Sequence, residues 1–204
     1  MDFKETVKAG YNTIAKRYLE ERTRDSQDVR LLDDLVARLP VNSRVLDAGC
    51  GAGVPVAQSL SQHFQVIGVD FSEAQVALAR KLVPNAQFIC QDMTKLDFPD
   101  ETFDAICSYY AIIHIPRDEH QSLFVNFYRM LKRAGFALLC LGVENLLDDI
   151  DENFLGTRMY WSHFDSDTYH KMLEETGFIP LWSKRVADAT CEGAGHLFML
   201  VQKP

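Results

Sequence analysis

Three glycines at alternate positions, Gly49, Gly51 and Gly53, directly follow the strand-like residues 45–48. Glycine lacks a Cβ, so the chain at these positions can turn with positive φ and lie close to a bound ligand. Where such a loop leads into a helix, the free N–H groups of the first helical turn point into the space above the loop. The pattern therefore indicates a loop that holds part of a nucleotide or nucleoside.

The spacing of these glycines favours a cofactor other than a nicotinamide dinucleotide. The dinucleotide fingerprint has glycines at its first, third and sixth positions. Here Val54 stands at the sixth position, and the third glycine comes one residue early. Two alternative functions stay open beside an enzyme that uses such another cofactor. The first is a nicotinamide-dependent oxidoreductase, and the second is a protein that binds the other cofactor without catalysing a reaction.

Acidic residues end the next two predicted strands. Asp70 follows the second apolar run, where an acid in nucleotide-binding α/β units accepts hydrogen bonds from ribose hydroxyls. Asp70 or Ser72 could instead cap the following helix, and the two roles are compatible. Asp92 follows the third run and could accept a hydrogen bond from an exocyclic amine, with Met93 over one face of the base. The alternative for Asp92 is an ordinary strand-to-loop acid.

Residues 45–53, Asp70, Asp92 and 103–114, taken in order, resemble the motifs of the class I S-adenosylmethionine-dependent methyltransferases. The resemblance covers roughly residues 11–143. It implies S-adenosylmethionine as the cofactor and S-adenosylhomocysteine as the product. The implied reaction is methyl transfer by in-line displacement to a small-molecule acceptor, and the accepting atom (oxygen, nitrogen or carbon) is left open.

The resemblance also implies which residues hold the methionine part of the cofactor. Asp47, Gly49 and Gly51 would position it, with its ammonium group received by the Gly49 backbone and the Ser108 region. These residues belong to the glycine loop and to the end of the fourth predicted strand.

A second implied set would hold the nucleoside. Asp70 would bind the ribose hydroxyls, and Phe71 would flank the adenine ring. Asp92 would accept a hydrogen bond from the adenine amine, with Met93 nearby. Tyr18 lies in an N-terminal helix that closes over the cofactor in relatives, although core packing is an equal alternative for this tyrosine.

Two histidines are candidate catalytic residues. His114 comes just after the fourth predicted strand, at the sheet edge where open α/β sheets bind ligands, and it could act as a general base. His163 lies beside aromatic residues that could form the wall of a substrate pocket. A purely structural role is the alternative for both. We expect His120 at the surface, and no group has metal-ligand spacing, so we expect no metal.

The alternation of apolar strands and amphipathic helices predicts an α/β fold with a parallel sheet covered on both faces. The resemblance implies a three-layer, Rossmann-like, seven-stranded sheet of order 3-2-1-4-5-7-6 with strand 7 antiparallel. We expect helices over 3–20, 26–39, 54–63, 73–82, 118–132 and 166–176, and strands over 44–48, 65–69, 86–90, 103–108, 136–141, 178–186 and 196–202.

The chain is predicted to be a single methyltransferase domain over residues 1–204. Residues 1–40 would form a helical cap, and residues 41–143 the cofactor-binding core. Residues 144–165 would be a loop on the substrate side, and residues 166–204 a helix with a C-terminal hairpin.

Composition limits the partners. The formal net charge of −8 argues against a nucleic-acid partner, because phosphate contacts need a basic face. No apolar run is long enough for a membrane span, and the charged start is unlike a signal peptide. The five cysteines lack metal-type spacing, which favours reduced thiols in the cytoplasm. We expect a small-molecule substrate and either a monomer or a homodimer.

Overall fold

The computed structural model describes residues 2–22, 25–187 and 195–204. Its helices are α1 (Phe3–Glu21), α2 (Gln27–Arg30), α3 (Leu32–Arg38), α4 (Val56–Leu60), α5 (Glu73–Leu82), α6 (His120–Met130) and α7 (Ser166–Thr176). Its strands are β1 (Arg44–Ala48), β2 (Gln65–Asp70), β3 (Gln87–Cys90), β4 (Phe103–Ser108), β5 (Leu131–Leu141), β6 (Leu146–Phe154), β7 (Thr157–His163), β8 (Ile179–Ala187) and β9 (Gly195–Gln202).

The main sheet has the predicted strand order. Seven strands lie side by side as β3-β2-β1-β4-β5-β9-β8. The strands from β3 to β5 are parallel, and β9 runs antiparallel to both of its neighbours. Since β8 and β9 are the sixth and seventh strands of this sheet, the predicted order 3-2-1-4-5-7-6 is confirmed.

Helices cover both faces of the sheet, as expected for apolar parallel strands. On one face, Leu35 of α3, Leu60 of α4 and Ala79 of α5 are fully buried in the same cluster. On the other face, Phe127 of α6 and Leu173 of α7 are buried equally well. This arrangement leaves the carboxyl ends of β1, β2, β3 and β4 at one open edge of the sheet.

Three local predictions are wrong. The helix predicted over 118–132 ends at Met130, and β5 begins at Leu131, five residues before the predicted start of that strand. The helix predicted over 26–39 is interrupted at Leu31, which separates α2 from α3. The loop predicted over 144–165 is instead an antiparallel hairpin of β6 and β7. Its acidic composition suggests a solvated loop, but Ile150 and Phe154 pack with the buried Tyr160 in a small cluster that includes α1. Burial of these apolar side chains stabilises the paired strands.

The loop predicted between β8 and β9, with Cys191, lies outside the described residues. Of the described cysteines, Cys50, Cys107 and Cys140 are buried thiols and Cys90 is exposed. Across the described ranges, no helix is long and apolar enough to cross a membrane.

Candidate functional site

The glycine loop folds tightly over the end of β1. Gly49 and Gly51 have φ values of +81° and +53°, which favour glycine. A Cβ on Gly49 would lie only 2.1 Å from the Cβ of Ala111, so a larger residue would not fit. The backbone N–H groups of Gly49 and Cys50 donate to the carbonyl of Val69 at 2.7 and 3.0 Å. These bonds join the loop to the end of β2.

Asp70 joins the same two loops through its side chain. Its Oδ2 accepts a hydrogen bond from Gly51 N at 2.9 Å, and its Oδ1 accepts one from Ser72 N at 2.9 Å. Burial raises the pKa of Asp70 to about 6, although both backbone bonds favour the charged form. A carboxylate has about four lone-pair directions, so each oxygen can accept a further hydrogen bond.

Asp47 is a buried carboxylate with an unused oxygen. The residue is 1% exposed, and its Oδ2 has no hydrogen-bond partner among the residues described. Burial and the nearby charge of Asp70 raise the pKa of Asp47 to about 7, opposed by a backbone hydrogen bond from Ala57. Such a group, at the edge of a cavity, is suited to a ligand that brings positive charge or hydrogen-bond donors.

Asp92 is engaged by other residues of the chain. It accepts hydrogen bonds from Thr94 N at 2.9 Å and Thr94 Oγ1 at 2.8 Å, and it pairs with Lys4 Nζ at 3.2 Å. Burial alone would raise the pKa of Asp92, but these bonds and the Lys4 charge lower it below its usual value. Lys4 Nζ also lies 2.7 Å from Thr94 Oγ1 and 2.5 Å from Glu119 Oε2. These ionic and hydrogen-bond contacts therefore connect the first turn of α1 to the loop that follows β3.

One cleft collects almost all of the predicted cofactor residues. Its free volume is only about 90 Å³, because α1 crosses it and Met93 packs beside Gly49. A volume this small does not admit a drug-sized ligand, which needs several hundred Å³. The predicted residues that line this cleft are Tyr18, Asp47, Gly49, Gly51, Asp70, Phe71, Asp92, Met93 and His114.

Ser108 is not part of this lining. Its side chain is fully buried, and its hydroxyl donates to the carbonyl of Ala48 at 2.8 Å. The hydroxyl therefore ties β4 to β1 beneath the site. That the Ser108 region receives the ammonium group stays a prediction, and the hydroxyl itself is used within the sheet.

A second, larger cavity adjoins the cleft. It has a volume of about 880 Å³, within the range of small-molecule sites. Its walls come from α1, the start of α2, the turn after β4, the β6–β7 hairpin and the facing ends of β8 and β9, and they include Trp161 and Phe154. We call this cavity the outer chamber. The residues that line both the cleft and the outer chamber are Tyr11, Tyr18, Arg22, Tyr110 and His114.

His114 has a defined tautomer. Its Nδ1 lies 2.7 Å from the carbonyl oxygen of Tyr160, which can only accept, so Nδ1 carries a proton. The Tyr11 hydroxyl lies 2.9 Å from Nε2 and donates to it when the ring is neutral. Burial lowers the pKa of His114 to about 4, so the neutral ring is the form present near pH 7.

The other histidines differ from expectation. His163 lines neither cavity; its Nδ1 donates to the carbonyl of Glu144 at 2.7 Å, and burial lowers its pKa. His120, expected at the surface, is fully buried and hydrogen-bonds to Ile115 and Tyr169. The aromatic residues next to His163 in the sequence therefore do not share the surroundings of the His163 ring. In the described part of the chain, no cluster of His, Cys, Asp or Glu could hold a metal ion.

Several lining residues escape prediction from the sequence. Arg22 pairs with the buried Asp28 at 2.6 Å and stacks over the Tyr110 ring at 4.6 Å. Tyr110 has a φ of +54°, an unusual value for a residue with a side chain, and donates to Asp28 at 3.1 Å. Its position two residues after the fourth predicted strand is the signal that could have singled it out.

Known proteins share this sequence pattern and fold. A family model described as a methyltransferase domain matches residues 45–135. The chain is 32% identical over 149 residues to phosphoethanolamine N-methyltransferase 3 of Arabidopsis thaliana, covering 69% of this chain and 29% of that protein. It is 34% identical over 127 residues to trans-aconitate 2-methyltransferase of Variovorax paradoxus, covering 60% and 46%. The chain thus spans less than half the length of these two curated relatives.

Solved structures give the same fold. The 1,6-didemethyltoxoflavin-N1-methyltransferase of Burkholderia thailandensis, solved with S-adenosylhomocysteine and 1,6-didemethyltoxoflavin bound, superposes with a TM-score of 0.75. The identity is 20%, and the match covers 99% of this chain and 89% of that one. Together with the domain match and the glycine loop, this places the chain in the class I S-adenosylmethionine-dependent methyltransferase superfamily.

Proposed function

We propose that this chain is an S-adenosylmethionine-dependent methyltransferase whose acceptor is a small molecule bound in the outer chamber. The observation that carries the proposal is the wall shared by the two cavities. Tyr11, Tyr110 and His114 line both of them, so a molecule in the outer chamber would border the cleft directly. When bound, S-adenosylmethionine supplies an electrophilic methyl group on a sulfonium.

The residues of the cleft fit this cofactor chemically. Asp47 offers an unpaired buried oxygen toward the positively charged methionine part. Asp70 has free lone pairs for the ribose hydroxyls, and Phe71 would flank the adenine ring. Gly49 and Gly51 let the backbone approach the ligand. For Asp92 we propose a contact to the adenine amine, made by lone pairs that Thr94 does not use.

We propose that the cleft widens to accept the cofactor. Its free volume of about 90 Å³ is bounded by α1, which Lys4 fastens to Asp92 and Glu119. We therefore expect α1 to swing out and close again. Closure over a bound ligand would exclude water and place Tyr18 against it.

His114 and Tyr11 would remove a proton from the acceptor. The neutral Nε2 of His114 accepts from the Tyr11 hydroxyl, and both residues face the outer chamber. An acceptor hydroxyl or amine that replaces this contact, or hydrogen-bonds to the Tyr11 oxygen, could pass its proton to Nε2. For His163 we now propose a structural role, since its ring lies away from both cavities.

The size of the outer chamber favours a small acceptor. The proteins compared above take their names from small molecules, namely phosphoethanolamine, trans-aconitate and 1,6-didemethyltoxoflavin. The aromatic residues of the outer chamber, among them Tyr110 and Trp161, would suit a planar acceptor. We also propose a cytoplasmic location, consistent with the thiols of Cys50 and Cys107, which form no disulfide.

Two measurements test the proposal. Isothermal titration should give binding of S-adenosylmethionine and S-adenosylhomocysteine, and none of NAD. A panel of small hydroxyl, amine and carbon acids should then include acceptors that generate S-adenosylhomocysteine. Binding of NAD instead would reject the cofactor assignment. Cofactor binding without turnover on a broad panel would favour a non-catalytic binding protein.

A further inference from the structure

Gln75, in the first turn of α5, has a buried side-chain amide that hydrogen-bonds to none of the residues described. The residue is 1% exposed, and neither Oε1 nor Nε2 has a partner among the described residues. Its side chain lines the cofactor cleft. Most buried side-chain polar groups in proteins are paired, so an unpaired amide at the edge of a cavity points to a ligand.

The position of Gln75 is set by the end of β2. Ser72 caps α5 and accepts a hydrogen bond from Gln75 N at 3.2 Å, which fixes the start of the helix. The Oε1 of Gln75 would lie 3.8 Å from a Cβ built on Gly51. Since Asp70 accepts a hydrogen bond from Gly51 N, the carboxylate and the amide stand beside the same loop residue.

Hydrogen-bond chemistry narrows what the amide can bind. An ammonium group only donates and a carboxylate only accepts, so either alone would satisfy one of the two amide atoms. The position of Gln75 beside Gly51, which also bonds to Asp70, favours the ribose over the methionine part that carries both of these groups. A vicinal diol both donates and accepts. Its hydroxyls can donate to Asp70 and to Gln75 Oε1, while their lone pairs accept from Gln75 Nε2. This match holds whichever way the amide is turned.

We propose that Gln75 hydrogen-bonds to the ribose hydroxyls of the cofactor as the donating partner of the acceptor-only Asp70. This inference rests on the proposed function, because it requires a ribose in the cleft. The pair would recognise a ribose with both hydroxyls and discriminate against deoxyribose.

The test combines two variants of Gln75 with three ligands. Gln75→Met keeps the length of the side chain and removes both polar atoms, and Gln75→Glu keeps the shape but removes the donor. Gln62→Met, at an exposed position, is the matched control. The affinities of S-adenosylhomocysteine and of its 2′-deoxy and 3′-deoxy analogues are measured by isothermal titration. Thermal midpoints are measured without ligand.

We expect Gln75→Met to weaken S-adenosylhomocysteine binding by about fivefold to tenfold, the range for one or two hydrogen bonds. The loss should fall below about twofold for at least one deoxy analogue, since the analogue lacks the partner hydroxyl. Gln75→Glu should bind at least as weakly, because the donor is gone and a charge is added near Asp47 and Asp70. The ligand-free midpoint of Gln75→Met should be unchanged or higher, because an unpaired buried amide is removed.

Three results would overturn the inference: unchanged S-adenosylhomocysteine affinity in Gln75→Met, an equal loss with all three ligands, or a lower ligand-free midpoint that accounts for the loss. If the parent protein itself does not bind S-adenosylhomocysteine, the proposed function fails as well. The two failures are therefore distinguishable.

Discussion

The Tyr11 hydroxyl lies 2.9 Å from Nε2 of His114 and joins the N-terminal helix to the turn after β4. The Nδ1–H of the same ring is held by the carbonyl of Tyr160 on β7. Three separate parts of the chain thus fix one imidazole in one tautomer. A proton acceptor held in this way needs no rearrangement of the ring before it acts.

Tyr11→Phe should lower kcat by about 10-fold to 100-fold, the usual range for one group in a proton-transfer path. The phenyl ring keeps the edge contact that Tyr11 makes with Tyr18, so S-adenosylhomocysteine affinity should change less than about threefold. Steady-state kinetics and titration calorimetry measure the two quantities. Equal losses in both would mean that Tyr11 serves cofactor binding instead.

The pH profile of the parent enzyme provides an independent check on His114. Burial lowers its pKa to about 4, so the neutral, proton-accepting form persists down to about pH 5. We expect kcat/KM to show no fall attributable to His114 between pH 8 and 6, and a fall as pH drops toward 4. An inflection between pH 6 and 7 that disappears in His114→Gln would contradict this assignment.

His163→Ala should leave kcat within about twofold of the parent value, because the ring contacts neither cavity. Loss of its hydrogen bond to Glu144 should cost about 1 kcal/mol in the free energy of unfolding. Chemical denaturation and turnover assays test both expectations. A 10-fold loss of kcat without loss of stability would restore His163 as a catalytic candidate.

Asp70→Ala should weaken cofactor binding by about 1–3 kcal/mol, the cost of losing hydrogen bonds to a charged group. Asp70→Asn keeps an acceptor oxygen and should lose less. Asp167→Ala, on α7, is a control of the same residue type. Titration calorimetry with S-adenosylhomocysteine gives the affinities, and unchanged binding in Asp70→Ala would reject the ribose assignment.

Asp47→Asn should stabilise the cofactor-free protein in a pH-dependent manner. The pKa of Asp47 is raised to about 7 in the folded chain, so ionising it there costs free energy that the unfolded chain does not pay. The free energy of unfolding of Asp47→Asn should exceed that of the parent by an amount that grows from pH 4 to pH 7. This difference should reach about 1–3 kcal/mol and then stay constant.

Thermal midpoints of Asp47→Asn and of the exposed control Asp33→Asn, measured from pH 4 to 9, test this expectation. A pH-independent difference between Asp47→Asn and the parent would show that Asp47 is not protonated in the empty cleft. Asp47→Asn should also bind S-adenosylhomocysteine more weakly, so the gain in stability and the loss of affinity should occur together.

Lys4→Met should loosen the start of α1. It removes contacts to Asp92, Thr94 and Glu119. Amide hydrogen exchange in the first two turns of α1 should become faster, and S-adenosylhomocysteine should dissociate about fivefold faster. Lys16→Met, exposed on the same helix, should change neither quantity. A dissociation rate equal to that of the parent would exclude α1 as the barrier to release.

The sheet and the cleft were largely predictable because their signals are local. Apolar runs followed by glycine or aspartate specify strand ends, and parallel strands bring those ends to one edge. Asp47, Asp70 and His114 therefore lie together as expected. The hydrogen bond of the Ser108 hydroxyl to Ala48 was not predictable, because a strand-end position does not reveal which way a short side chain points.

The outer chamber could not be predicted in the same way. Its walls depend on contacts between distant segments, such as those of Tyr110 with Arg22 and Asp28. The acidic strand β6 has no alternating apolar pattern, since only Leu146, Ile150 and Phe154 are partly buried. Tertiary packing against α1 thus decided the structure of this segment where local composition suggested a loop.

The helix that covers the cleft has a consequence for the order in which substrates bind. Tyr11 and Tyr18 of α1 line both cavities. When α1 moves outward to admit the nucleoside, one wall of the outer chamber therefore moves away with it. An acceptor that arrived first would lose that wall at the next step. Kinetics should therefore be sequential and compulsory, with the nucleoside first to arrive and its demethylated form last to leave.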